Sequence, residues 1–247
     1  MVSSSPPSAG SEVMGSDLYP DGQVRLSGPM NYRFNAGGYE ITGDVVLGDV
    51  MYSGYYVSDH DTGDVASSSL TRVGPGWSNF VAFDESTLSG PTNTYGLRAD
   101  GVLFRWTLDG HGVWKSKTSY PGFAAVKSMA LISQTRTYDT FLANTRGGAL
   151  YTIHIPATSP MKPVVKLVRR STWQVFDALV AQRCGPSGTL VAAIDKDTRT
   201  GYLYSVGHGN GLATAIQNLG KVDAPLDDPV YFDWTNDNDT ITPPFGE

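Results

Sequence analysis

Cysteine is almost missing from this chain of 247 residues: Cys184 stands alone. One cysteine excludes an internal disulfide and leaves no partner thiols for a zinc cluster, so Cys184 reads as a small apolar side chain. Charge is sparse too, at 17% of residues, and it leans acidic, with 18 Lys+Arg against 24 Asp+Glu for a net charge of −6. That balance argues against nucleic-acid binding, which rests on neutralising phosphates. No stretch approaches the roughly 18–20 uninterrupted apolar residues of a membrane span. Residues 1–15 lack the basic start and apolar stretch of a secretory signal. The four histidines, His60, His111, His154 and His208, form no His-x-His or His-x-x-x-His pair. A Gly-x-Ser-x-Gly elbow and a phosphate-cradling Gly-x-x-x-x-Gly-Lys loop are absent. The reading is therefore of a globular protein without metal or cofactor.

What the chain does have is turn residues between short apolar runs: 28 glycines and 15 prolines, dispersed throughout. Residues 94–106 read as strand, Asp100-Gly101 turn, strand, a tight β-hairpin. Residues 141–153 repeat the design around Gly147-Gly148, and residues 190–206 repeat it with a longer turn. Shorter or weaker copies lie at 18–26, around Gly22, and at 52–70, around Gly63. A second landmark, a turn followed by an aromatic and an apolar strand, comes after each hairpin. It appears as Gly38-Tyr39-Glu40-Ile41, Gly76-Trp77-Ser78-Asn79-Phe80, Gly122-Phe123-Ala124-Ala125-Val126, Thr172-Trp173-Gln174-Val175-Phe176 and Pro229-Val230-Tyr231-Phe232. The spacing of about 40–50 residues is a propeller-blade interval. Five copies predict an all-β, five-bladed β-propeller of four-stranded antiparallel blades. Its C-terminal strand, near 231–234, would complete the N-terminal blade, so that pairing of N- and C-terminal strands closes the ring. The domain plan is a flexible arm at 1–15, a single propeller domain at 16–235 and a tail at 236–247.

The hairpin at 95–106 and the junction at 73–80 resemble the tachylectin family, five-bladed propeller lectins with a Tyr-Gly-Val-x-x-Asp-Gly-x-Leu-type hairpin and a Gly-Gly-Trp-x-Asn-Phe-type junction. The resemblance implies non-enzymatic binding of N-acetylated amino sugars in clefts between blades, with Gly76, Trp77, Asn79 and Phe80 lining one cleft. It also implies a secreted protein whose signal segment was removed, with a cytoplasmic one as the alternative. The junctions at 122–126 and 172–176 depart from the pattern by losing Asn, which implies fewer than five sites.

Sugar binding needs an apolar platform and a few fixed hydrogen-bond partners. Trp173, Trp106 and Trp114 join the candidate ligand residues on that ground, each with a plain packing role as its alternative. A second reading is a propeller-fold hydrolase or lyase, because glycoside hydrolysis needs two carboxylates converging on one cleft. The Asp-rich segments at 59–64, 195–197 and 227–228 are its sequence candidates, although acids are common at turn tips in any protein. A third reading is a protein-interaction scaffold. Asn238-Asp239-Thr240 has the form of a glycosylation triplet.

Overall fold

A computed structural model describes residues 7, 18–35, 37–59, 61–87, 93–109, 113–236 and 244–247. Among these there is no α-helix, and no helix long and apolar enough to cross a membrane. The fold is an all-β propeller with four blades. Two compact units divide it, one built from residues 10–80 and 228–242, the other from 1–9, 81–227 and 243–247.

The first unit holds β1 (Val24–Ser27), β2 (Met30–Asn35), β3 (Gly38–Leu47), β4 (Val50–Asp59) and β5 (Val65–Pro75). Strands β2 to β5 pair in order, and β1 pairs antiparallel with β3. The second unit carries three four-stranded antiparallel blades, each formed by consecutive strands. Blade one is β6 (Phe80–Ser86), β7 (Asn93–Arg98), β8 (Leu103–Leu108) and β9 (Trp114–Tyr120). Blade two is β10 (Val126–Gln134), β11 (Tyr138–Thr145), β12 (Leu150–Pro156) and β13 (Val164–Arg169). Blade three is β14 (Ala178–Cys184), β15 (Gly188–Asp195), β16 (Thr200–Val206) and β17 (Ile216–Lys221). The last strand, β18 (Trp234–Asn236), returns to the first unit's sheet.

Burial follows strand position. The middle of β10 and all of β11 beyond Tyr138 are buried, as near-continuous apolar runs covered on both faces must be. The last strand of blade one is mostly exposed and carries Lys115 and Lys117, which discourage another edge from pairing there. Two apolar clusters fill the spaces between blades. One joins blades one and two through Tyr95, Leu97, Phe141 and Ile153, and the other joins blades two and three through Leu142, Trp173, Phe176 and Val191.

The five-blade expectation is corrected to four. By composition the turns at Gly22 and Gly63 read as hairpins of two blades, yet both belong to one sheet. Gly22 precedes β1, which pairs with β3 instead of forming its own hairpin, and Gly63 lies between β4 and β5. The turn equivalent to Gly101 in that sheet is Gly48-Asp49, between β3 and β4. Ring closure is corrected with it. β18 runs parallel to β2 for three residues, Trp234 opposite Met30, and so adds an edge to an existing sheet without completing a fifth blade.

The repeat itself has a physical basis. The junction aromatic donates its main-chain N–H to the preceding turn: Trp77 to Asp49 O (3.0 Å), Phe123 to Gly101 O (2.9 Å) and Trp173 to Gly148 O (3.0 Å). Val222 makes the same bond to Gly201 O at 2.8 Å. Turn and junction recur together because one holds the other.

Candidate active site

Strand alternation decides which acids can meet. Along β6, Asp84 and Ser86 point toward blade two, while Glu85 points the opposite way and accepts a hydrogen bond from the Thr94 hydroxyl (2.9 Å). Asp84 bridges the blades: its Oδ2 accepts the Leu131 N–H of β10 and its Oδ1 the N–H of Glu85, each at 2.8 Å.

From β11, Asp139 enters the same interface between blades one and two and is 3% exposed. Ser86 Oγ donates to its Oδ1 (2.7 Å), and Tyr95 OH (2.6 Å) and Asn93 Nδ2 (3.2 Å) donate to its Oδ2. Burial raises the Asp139 carboxyl above the ordinary aspartate range, against the opposing pull of those three donors and the Arg105 charge. The Tyr95 hydroxyl is pushed well up by burial and by the neighbouring Asp139. Arg105, 4% exposed, anchors the blades by donating to Pro156 O (2.7 Å) and Thr158 O (2.8 Å). Two carboxylates from adjacent blades, one favouring its protonated form, thus share a polar seam in an otherwise apolar interface.

The residues expected to bind a ligand fall into three separate places. Gly76, Trp77, Asn79 and Phe80 do form one loop. Trp77 and Phe80 are 5% and 7% exposed with ring centroids 4.6 Å apart, Asn79 is exposed, and Gly76 takes φ +101°. That loop's carbonyls are used from within the fold: the Arg25 guanidinium donates to Trp77 O (3.1 Å), Ser78 O (3.0 Å) and Phe80 O (3.2 Å). Main-chain N–H groups of Ser78 and Gly76 hold the Asp49 carboxyl below its usual range. Trp173, 4% exposed, packs on Phe176 and Tyr204 between blades two and three. Trp106 and Trp114 do come together, half-buried with centroids 5.2 Å apart, and Lys117 Nζ lies 5.6 Å from the Trp106 ring.

The Asp-rich turns cap themselves. Asp59 Oδ1 accepts the N–H groups of Asp61 and Thr62, and Asp195 Oδ1 those of Asp197 and Thr198. Among the described residues no cluster of three or more His, Cys, Asp or Glu could hold a metal. His60, His111 and the 238–240 triplet lie outside the described residues, as does nearly all of the 1–15 arm. Sequence reasoning missed Asp84 and Asp139. A signal was there: an acid set into the apolar strands Phe80–Ser86 and Tyr138–Thr145, where charge is rarely buried without cause.

No family model matches the chain, and no curated protein does. Solved structures do match. The α-L-arabinofuranosidase PaAbf62A of Podospora anserina, solved with cellotriose, is similar at 14% identity and TM-score 0.53, over 92% of this chain and 77% of that one. The catalytic domain of a Coprinopsis cinerea GH62 α-L-arabinofuranosidase is similar at 12% identity and TM-score 0.54, over 84% and 72%. The expectation of a non-enzymatic, tachylectin-type lectin is corrected on this finding. Structures that share the fold over most of the chain are glycoside hydrolases, and no family match supports a tachylectin. At such identity the likeness carries the fold alone; an activity has to come from the side chains.

Proposed function

We propose that the chain is a propeller-fold glycoside hydrolase in which Asp139 and Asp84 act as acid and base. One observation carries the reading: the interface between two neighbouring blades holds a carboxylate from each, and burial raises one of them. A raised carboxyl is what the acid of a glycosidase requires. Asp139 protonates the glycosidic oxygen as its bond to the anomeric carbon breaks. Asp84 takes a proton from the attacking water, whose oxygen forms the new bond to that carbon. Tyr95, Ser86 and Asn93 hold the Asp139 carboxyl in place.

The fold likeness makes α-L-arabinofuranosides the first substrates to try, with other aryl glycosides beside them. Turnover is expected in the wild type, with a loss of roughly 10²–10⁴-fold in Asp84→Asn and in Asp139→Asn, the usual scale for acid–base catalysis. Glu85→Gln, on the opposite face, should retain activity. Equal turnover in all four proteins, each folded by circular dichroism, would remove the assignment.

A further inference from the structure

Residues 244–247 lie in the cleft between blades two and three, on the face of blade two opposite to Asp139. The segment adds a short strand to β10: Gln134 N donates to Pro244 O (3.0 Å), Gly246 N donates to Ile132 O (2.8 Å), and Ser133 bridges antiparallel to Phe245. From blade three, Gly209 N donates to Gly246 O at 2.6 Å. The Glu247 side chain, 9% exposed, enters a row of polar groups running across blade two. Thr140 Oγ1 donates to its Oε2 (2.6 Å), His154 Nδ1 lies 2.9 Å from the same oxygen, and Lys166 Nζ lies 3.2 Å from Oε1. Tyr138 OH donates to the Glu247 main-chain oxygen at 2.6 Å.

Each position is read by a different means. A Cβ on Gly246 would come within 2.5 Å of Thr189 Oγ1 and 2.8 Å of Ile132 O, so only glycine fits there. Phe245 faces the His208 ring at 6.0 Å and remains 43% exposed. The carboxylate has two nitrogen partners and a hydroxyl. Main-chain pairing supplies affinity and these side-chain requirements supply selectivity, as in other strand-addition sites.

We propose that this cleft is a peptide-docking groove selective for an extended aromatic–glycine–glutamate segment, filled here by the chain's own residues 245–247 and open to the same motif on a partner protein when they leave. The proposal is independent of any hydrolytic activity. Gly246→Ala in the full chain tests it, because it ejects the segment and leaves every groove residue intact. Binding of fluorescein-labelled Pro-Pro-Phe-Gly-Glu peptide is followed by anisotropy, with hydrogen exchange at Gln134 and Gly209 reporting whether the groove is vacant.

The variant should show faster exchange at both amides and bind the peptide at least about tenfold more tightly than the wild type, whose groove competes in cis. A peptide with Ala for Gly, or with Gln for Glu, should bind about tenfold more weakly or not at all. Adding Lys166→Ala should weaken the peptide in the same way. Unchanged exchange in Gly246→Ala would refute the steric requirement. A vacant groove that ignores the peptide, or that takes the Ala-containing peptide equally well, would refute the docking site.

Discussion

Gly101 shows how one missing methyl group joins two blades. Its φ is +85°, and a Cβ there would overlap the main-chain N of Ala124 and sit 2.5 Å from its Cα. Gly101→Ala should therefore cost about 3 kcal/mol or more, since both backbone strain and a clash with rigid main chain are imposed. Gly147→Ala, with open space and no left-handed φ, should change stability by less than about 0.5 kcal/mol. Urea denaturation of the two variants checks both numbers. Glu247 makes a pH prediction at the same scale. Burial raises its carboxyl, but hydrogen bonds from Thr140, His154 and Lys166 outweigh that and hold it below the ordinary glutamate range. A depressed carboxylate contributes stability that is fully present above its unfolded value and is lost as pH falls through the folded one. Acidification should release residues 244–247, seen as movement of the Gly246 and Gly209 amide resonances. Glu247→Gln should lack that transition.

The junctions between blades act as units. Asn144, fully buried in β11, donates through Nδ2 to Trp173 O and Phe176 O, both at 2.8 Å. Asn144→Ala removes the side-chain donor from both carbonyls, leaving Trp173 O with only the Phe176 N–H at 3.4 Å, and should cost about 1–3 kcal/mol. Exchange at Phe176 and Leu179 should rise more than exchange in blade one; a uniform rise would mean that the bond does not hold this junction locally. These junctions are also where the sequence was most readable. The hairpins around Gly101, Gly148 and 195–200 are β7–β8, β11–β12 and β15–β16, because turn glycines and flanking apolar runs are local signals. The count was harder. Gly22 and Gly63 look like hairpin turns by composition, and only the pairing of β1 with β3 shows that they share a sheet. Asp84 and Asp139 were harder still, for they are 55 residues apart and reach the same interface only through the register of two blades.

At the scale of the whole molecule, four blades and an acidic, sparsely charged chain fit many functions, and fold alone selects none of them. The polar seam between blades one and two narrows the choice. An apolar interface that accommodates Asp139, Arg105 and Tyr95 gives up packing for a set of positioned donors and a carboxyl that burial raises above the ordinary aspartate range. That raised carboxyl is the physical core of the hydrolase reading. Its most direct test is the pH dependence of kcat/KM on an aryl α-L-arabinofuranoside or whichever aryl glycoside is turned over. A bell is expected, with a basic limb above the ordinary aspartate range that disappears in Asp139→Asn. A profile whose basic limb is unchanged by that substitution would contradict the account.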